Sequence, residues 1–181
     1  MPSNDFDQFV SGLQANKESQ KEFWTRQRDE YIADVDSLYG HIEKFLEPWT
    51  SNGSIAIEYH PQSIHEEDTG PYEVRKCIIL IGNRSVALTP VGTQLIGTKG
   101  RIEISGASGR SRLMLVDAAS PGPRVLVTMS NPRRQEKKQA DPQPEQDIAW
   151  TWKIVSNPPD LKFIDFNRDN FLDLIMGITN G

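Results

Sequence analysis

Thiols and long apolar runs are what this sequence has least of. Cys77 is its one cysteine, and it sits inside an apolar run. One thiol makes no internal disulfide and no cysteine-based zinc site. No apolar run approaches the ~20 residues that a membrane-spanning helix needs. The opening MPSNDFDQFV has neither the basic n-region nor the apolar h-region of a secretory signal. There is no Gly-x-Ser-x-Gly elbow, no Gly-Lys-Ser/Thr phosphate loop and no two acids that stand out as a buried pair, so no catalytic constellation is visible. These absences lead us to expect a cytoplasmic chain without cofactor or metal.

What is present begins with charge. Residues 1–50 hold ten Asp and Glu against five Lys and Arg, a balance of -5; residues 51–130 balance at +1 and residues 131–181 at -1. The whole net charge of -5 therefore lies on the first fifty residues. An overall acidic field disfavours nucleic acid and leaves room for a protein partner with a basic surface.

The same segment carries an apolar row, Trp24, Tyr31, Val35, Leu38, Ile42, Phe45 and Trp49, with Arg28 filling one slot. Its steps alternate four and three, the period of a helix with one packed face. The spacing predicts a short helix around Phe6, Phe9, Val10 and Leu13, weakened by Gly12, and a second from Lys17 to Glu47, stopped by Pro48. A helix of about thirty residues would be ~45 Å long, too long to lie wholly on a small core. Trp24, Arg28, Tyr31 and Val35 are accordingly the candidate partner-binding residues.

After Ser51-Asn52-Gly53 the period changes to two. Ile55, Ile57 and Tyr59 form one side of a strand, and His60 to Pro71 reads as a polar loop. Tyr72 to Ile81 is the next strand, and Gly82-Asn83 a two-residue hairpin turn. Pro90 and Gly92 mark a break or bulge before Leu95-Ile96. Ile102 and Ile104, then Leu113 and Leu115, flank a turn at residues 106–109. If Ser105 faces Arg110, Ile102 meets Leu113 and Glu103 meets Arg112, which puts the apolar set on one face and opposite charges on the other. Val125 and Val127 begin another strand. Residues 131–147 hold no apolar residue except Ala140 and read as a disordered loop. Ile148, Trp150, Trp152 and Ile154 share one strand face, and residues 167–178 form an amphipathic helix.

The expected architecture is α+β: a long N-terminal helix, a meandering, strongly twisted antiparallel sheet or partial barrel of seven to eight strands, and a C-terminal helix packed on it. No helices intervene between the strands, which excludes parallel crossovers. The chain divides into an acidic helical arm, 1–50, and a sheet domain, 51–181.

Three further clusters bear on chemistry. Lys99, Arg101, Arg110 and Arg112 give the central hairpin a basic face, a candidate anion site. Trp150 and Trp152 are candidate ligand-lining residues if the barrel is half open. His60, His65, Glu66, Glu67 and Asp68 supply imidazole and carboxylate in one segment, at a spacing that fits no strong metal pattern. The run Asp165-Phe-Asn167-Arg-Asp169-Asn-Phe171-Leu-Asp173 resembles the calcium loop of FG-GAP and dockerin-type repeats. The resemblance implies oxygen ligands from Asp165, Asn167, Asp169, the Phe171 carbonyl and Asp173. It departs at the sixth position, where those loops have glycine and this chain has Asn170. The same residues read from their spacing as a helix capped by Asp165 or Asn167.

The function expected from these features is a non-enzymatic protein-interaction domain, an inhibitor or immunity-type protein acting through its acidic arm, or one that self-associates through it. The alternative is a small-ligand-binding partial barrel, with or without catalysis, using the Trp150 and Trp152 face.

Overall fold

A computed structural model describes residues 2–93, 98–120, 122 and 148–180, with side chains from residue 5 onward. The order is α1 (Pro2–Thr50), β1 (Ile55–Glu66), β2 (Gly70–Ile81), β3 (Arg84–Gly92), β4 (Gly100–Ser105), β5 (Arg110–Asp117), β6 (Trp150–Val155), β7 (Phe163–Asp165) and α2 (Arg168–Thr179). The fold is α+β, with an open sheet. The strands lie in sequence order in one antiparallel sheet. Leu95-Ile96, the strand expected at Val125 and Val127, and the stretch 131–147 fall outside the described residues.

Residues 2–50 form one helix rather than two. Gly12 does not interrupt it, and Pro48 lies inside its last turn. A proline there removes one intrahelical hydrogen bond, a loss that matters less at a helix end than in the middle. Closure follows at once: the Ser51 amide donates to the Glu47 carbonyl at 2.9 Å, and Gly53 turns the chain with φ 78°.

The core is the contact between α1, α2 and one sheet face. Tyr31, Val35, Leu38, Tyr39, Ile42 and Leu46 of α1 are buried. They meet a face carrying Cys77, Ile79, Val86, Leu88, Ile102, Ile104, Leu113 and Ile154, all buried. Their neighbours Ile78, Leu80, Arg101, Glu103, Arg112 and Met114 alternate onto the other, partly exposed face, as the two-residue period of a strand requires. α2 buries Phe171, Ile175 and Ile178. Phe171 closes an aromatic cluster with Phe45 and Phe166 at ring separations of 6.2 and 5.5 Å.

The hairpin β4–β5 has the expected register: Ser105 faces Arg110, Ile102 faces Leu113 and Glu103 faces Arg112. Ile81 pairs with Arg84 around the Gly82-Asn83 turn, and the ladder shifts between Pro90 and Gly92. The segment read as a loop from His60 to Pro71 is different. β1 runs through it to Glu66, β2 starts at Gly70, and the two strands pair over twelve positions without a shift. Burial moves from Ile55, Ile57 and Tyr59 to Gln62, Ile64 and Glu66 halfway along. The two halves of the hairpin thus cover opposite faces, in keeping with the strong twist of a two-stranded ribbon. Few apolar residues are needed on each half, which is why the outer half looks like a polar loop in sequence.

Candidate functional site

The stripe that α1 buries against the sheet continues past the sheet's end. Running back from Tyr31, the same face carries Gln27, Trp24, Gln20, Lys17, Leu13, Val10 and Phe6. The steps alternate between three and four, the spacing of one face of a helix. Residues 5–23 are exposed apart from Val10, which is partly covered. Phe6, Phe9 and Leu13 are 64%, 61% and 54% exposed, and Phe23 is 42% exposed. The rings of Phe6 and Phe9 lie 6.4 Å apart, and Phe23 meets Trp24 edge-on at 5.1 Å. Large apolar side chains arrayed together in water are uncommon on a protein surface.

The partner-binding candidates divide along this stripe. Trp24 and Arg28 are partly exposed, and Arg28 pairs with Asp29 at 2.8 Å. Tyr31 and Val35 are fully buried in the chain's own core. The turn joining β1 and β2 reaches back beside the helix. A groove of about 450 Å³ opens there between Ser19, Gln20, Phe23 and Trp24 on one side and Asp68 on the other. Phe6, Phe9 and Leu13 are the exposed residues that the row beginning at Trp24 leaves out. The sequence groups them instead with Val10 as a short separate helix, which the structure joins to the same continuous α1.

The four cations of the proposed anion site are not equivalent. Lys99 is 14% exposed and holds Glu30 at 2.8 Å and Asp34 at 3.6 Å. Its ammonium lies 5.6 Å from the centre of the Trp150 ring, a cation–π contact. Burial raises the Asp34 carboxyl above its ordinary range, and Lys99 opposes that rise. Arg101 pairs with Glu103 at 3.0 Å on the other sheet face. Among the described residues, no acid lies within ion-pair distance of Arg110 or Arg112. Arg110 borders a cleft of about 460 Å³ between the β5–β6 edge and α2, with Val155, Asn157, Asp173 and Leu174. The structure therefore separates Lys99 and Arg101, each engaged with acids, from Arg110 and Arg112.

The two ligand-lining candidates are also divided. Trp152 packs against the core, and its indole N–H donates to the Asp34 carbonyl at 3.4 Å. Trp150 is 40% exposed beside Lys99. α1 packs on the sheet face at Trp152 and leaves Trp150 partly open. Lys99, Glu30 and Asp34 form a polar tie between helix and sheet whose members lie about seventy residues apart, so no local pattern reveals it.

The acids of the calcium-loop resemblance are divided between β7 and α2. Asp165 ends β7 and pairs with Lys153. Asn167 caps α2, accepting from the Asn170 amide at 2.9 Å. Asp169 is in the first turn and Asp173 one turn further on, both exposed. His60 stands by Glu58 at 3.4 Å, while Glu66 turns inward as a latch: its carboxylate accepts from the Thr93 amide at 2.6 Å and the Tyr72 hydroxyl at 2.8 Å. Among the described residues, no group of three or more His, Cys, Asp or Glu is placed to hold a metal ion. No described helix is long and apolar enough to cross a membrane. No protein-family model, curated protein or solved structure matches the chain.

Proposed function

We propose that this chain is a non-enzymatic protein-interaction domain whose working surface is the N-terminal half of α1. The observation that carries the reading is the exposure of Phe6 and Leu13 on the stripe that becomes core from Tyr31 onward, with Phe9 exposed beside them. A helix offering apolar anchors at three- and four-residue spacing suits a helix-in-groove mode of recognition. Trp24 and Arg28 border that surface. Cys77, a buried free thiol, fits a cytosolic setting and is part of the reading.

The test compares the wild-type chain with a triple variant, Phe6→Ser, Phe9→Ser and Leu13→Ser, as baits in extract of the native cell. The wild type retains a defined protein, its own chain included, and the variant loses it. Both melt within a few degrees of one another, because the three side chains lie outside the core. Equal capture by both baits refutes the reading.

A further inference from the structure

We infer that the cleft between the β4–β5 turn, the β6–β7 connection and α2 binds a small zwitterion with an apolar body, either an apolar α-amino acid or a dipeptide built from such residues. Its carboxylate meets Arg110, its ammonium meets Asp173, and its apolar part lies on Ile164 and Leu174. None of the lining residues belongs to α1, so the site is independent of the surface proposed above.

Three features of the cleft point to that chemistry. The first is the division of its polar side chains. Ser111, Ser156 and Asn170 are engaged within the fold. The Ser111 hydroxyl donates to the Val155 carbonyl at 3.3 Å, the Ser156 hydroxyl to the Asp160 carbonyl at 2.6 Å, and the Asn170 side-chain amide to the Asp165 carbonyl at 2.9 Å. Among the described residues, the side chains of Arg110, Asn157 and Asp173 have no hydrogen-bond or ion-pair partner. The second is charge. Arg110 and Asp173 have opposite signs and line the same cleft, yet they lie farther apart than an ion pair. A guanidinium takes a carboxylate through two parallel N–H donors. A molecule carrying both charges satisfies both groups, whereas a lone anion or a lone cation satisfies one and faces a like charge at the other. The third is the apolar floor. Ile164 stays 39% exposed although its cross-strand partner Ile154 is buried, and the partly exposed Leu174 lines the same cleft. The volume, about 460 Å³, is in the range of small-molecule sites. The walls are fixed before anything binds. The Ser108 amide donates to the Ile178 carbonyl at 2.9 Å and ties the β4–β5 turn to the end of α2. A Cβ on Gly106 would collide with that carbonyl. Ser156 closes the β6–β7 connection by accepting from the Lys162 amide at 2.7 Å. Walls held in this way lose little freedom on binding.

The experiment titrates the full chain with leucine, with leucyl-leucine and with N-acetyl-leucine amide, which keeps the apolar body and carries neither charge. Backbone amide shifts are followed by nuclear magnetic resonance. At least one of the two zwitterions shifts the amides of residues 108–111, 157 and 173 saturably, and the capped compound does not. Whichever zwitterion saturates at the lower concentration decides between amino acid and peptide. Arg110→Gln and Asp173→Asn each weaken that binding about tenfold or more, because each leaves one ligand charge unpaired. Both variants keep the wild-type melting temperature, since both side chains are exposed. The absence of a saturable shift with either zwitterion into the tens of millimolar overturns the inference. So does equal binding of the capped compound, or binding that either variant leaves unchanged.

Discussion

The Tyr31 hydroxyl donates a 2.7 Å hydrogen bond to the carbonyl of Arg101. The contact fixes where α1 leaves the sheet: N-terminal to it the helix is partly or fully exposed, and C-terminal to it Val35, Leu38, Tyr39, Ile42 and Leu46 are buried. Gly100 makes room for it, since a Cβ there would lie inside the van der Waals surface of the Tyr31 ring. Eight residues on, the Tyr39 hydroxyl donates to the Arg75 carbonyl at 2.8 Å. Two tyrosines thus pin the helix to strands β2 and β4 by their polar ends while their rings fill the core.

Tyr31→Phe keeps the ring and loses the hydrogen bond, so it should cost about 1 kcal/mol. Tyr31→Ala also removes the ring and should cost about 3–5 kcal/mol. Gly100→Ala forces the ring aside and should cost about 1–3 kcal/mol. Urea unfolding of the three variants ranks them. A Gly100→Ala variant as stable as wild type would mean that the ring does not rest on that glycine.

Glu66 is the second place where one side chain holds distant elements together. Besides the Thr93 amide and the Tyr72 hydroxyl, it accepts from the Thr93 hydroxyl at 3.0 Å. Gly92, with φ 134°, lies so close that a Cβ there would collide with the carboxylate. Glu66→Ala leaves a partly buried amide and hydroxyl without an acceptor and should cost about 2–3 kcal/mol. Glu66→Gln keeps one carbonyl oxygen and should lose less. Gly92→Ala should destabilise as well, through its backbone conformation and the displaced carboxylate. Amide exchange at Thr93 reads the latch directly, with protection falling in all three.

Legibility in the sequence follows the range of the interaction. The β4–β5 register could be read because alternation and the Glu103–Arg112 pairing are local and agree. α2 could be read because Asn167, Asp169 and the stripe Phe171, Leu174, Ile175, Ile178 lie within twelve residues. The outer half of β1, from His60 to Glu66, could not, because Ile64 is its one buried residue and signals no strand until it is paired. Periodicity located the packed stripe of α1 but carried no information about what covers it. Tyr31 and Val35 have the same spacing whether the cover is a sheet or a partner, and only the position of the sheet's end separates them from Phe6, Phe9 and Leu13. The tie of Lys99 to Glu30 and Asp34 depends on tertiary contact alone.

Alkaline pH should weaken the fold. Burial pushes the Cys77 thiol up to about 12 from an ordinary value of 9.0. Burial also raises the hydroxyls of Tyr31, Tyr39, Tyr59 and Tyr72 above their ordinary 10.0. In Tyr59 and Tyr72, hydrogen bonds to Glu43 and Glu66 add to the rise. Each group holds its proton more tightly folded than unfolded. Their contribution is therefore complete below the unfolded values and is lost as pH climbs toward the folded ones. Melting temperature should be level to about pH 9 and then fall steadily to about pH 11. Cys77→Ala should flatten the first part of the fall, and Cys77 should resist thiol reagents until the chain unfolds. A melting temperature that is constant across the range would contradict the burial of these groups.

The C-terminal segment gives the sharpest contrast between two chemistries written in the same residues. As a calcium loop, Asp165 to Asp173 would need its oxygens to converge on one ion. As a capped helix, it needs Asn167 at the N-cap, Phe171 inside and Asp173 outside, and that is the arrangement present. Asn170 reinforces the cap, its side-chain amide donating to the Asp165 carbonyl at 2.9 Å. A glycine at that position would lose this bond, which gives a physical reason for the departure from the repeat pattern. Phe171→Ala removes a buried ring between Phe45 and Phe166 and should cost about 3–5 kcal/mol. Asn167→Ala should cost about 1 kcal/mol through the lost cap. Asp173→Asn, on the exposed face, should change stability by less than about 0.5 kcal/mol. Titration calorimetry with calcium should give no saturable heat for the wild type or for Asp173→Asn. A micromolar heat that Asp173→Asn abolishes would establish the loop and overturn the helix as the working form of this segment.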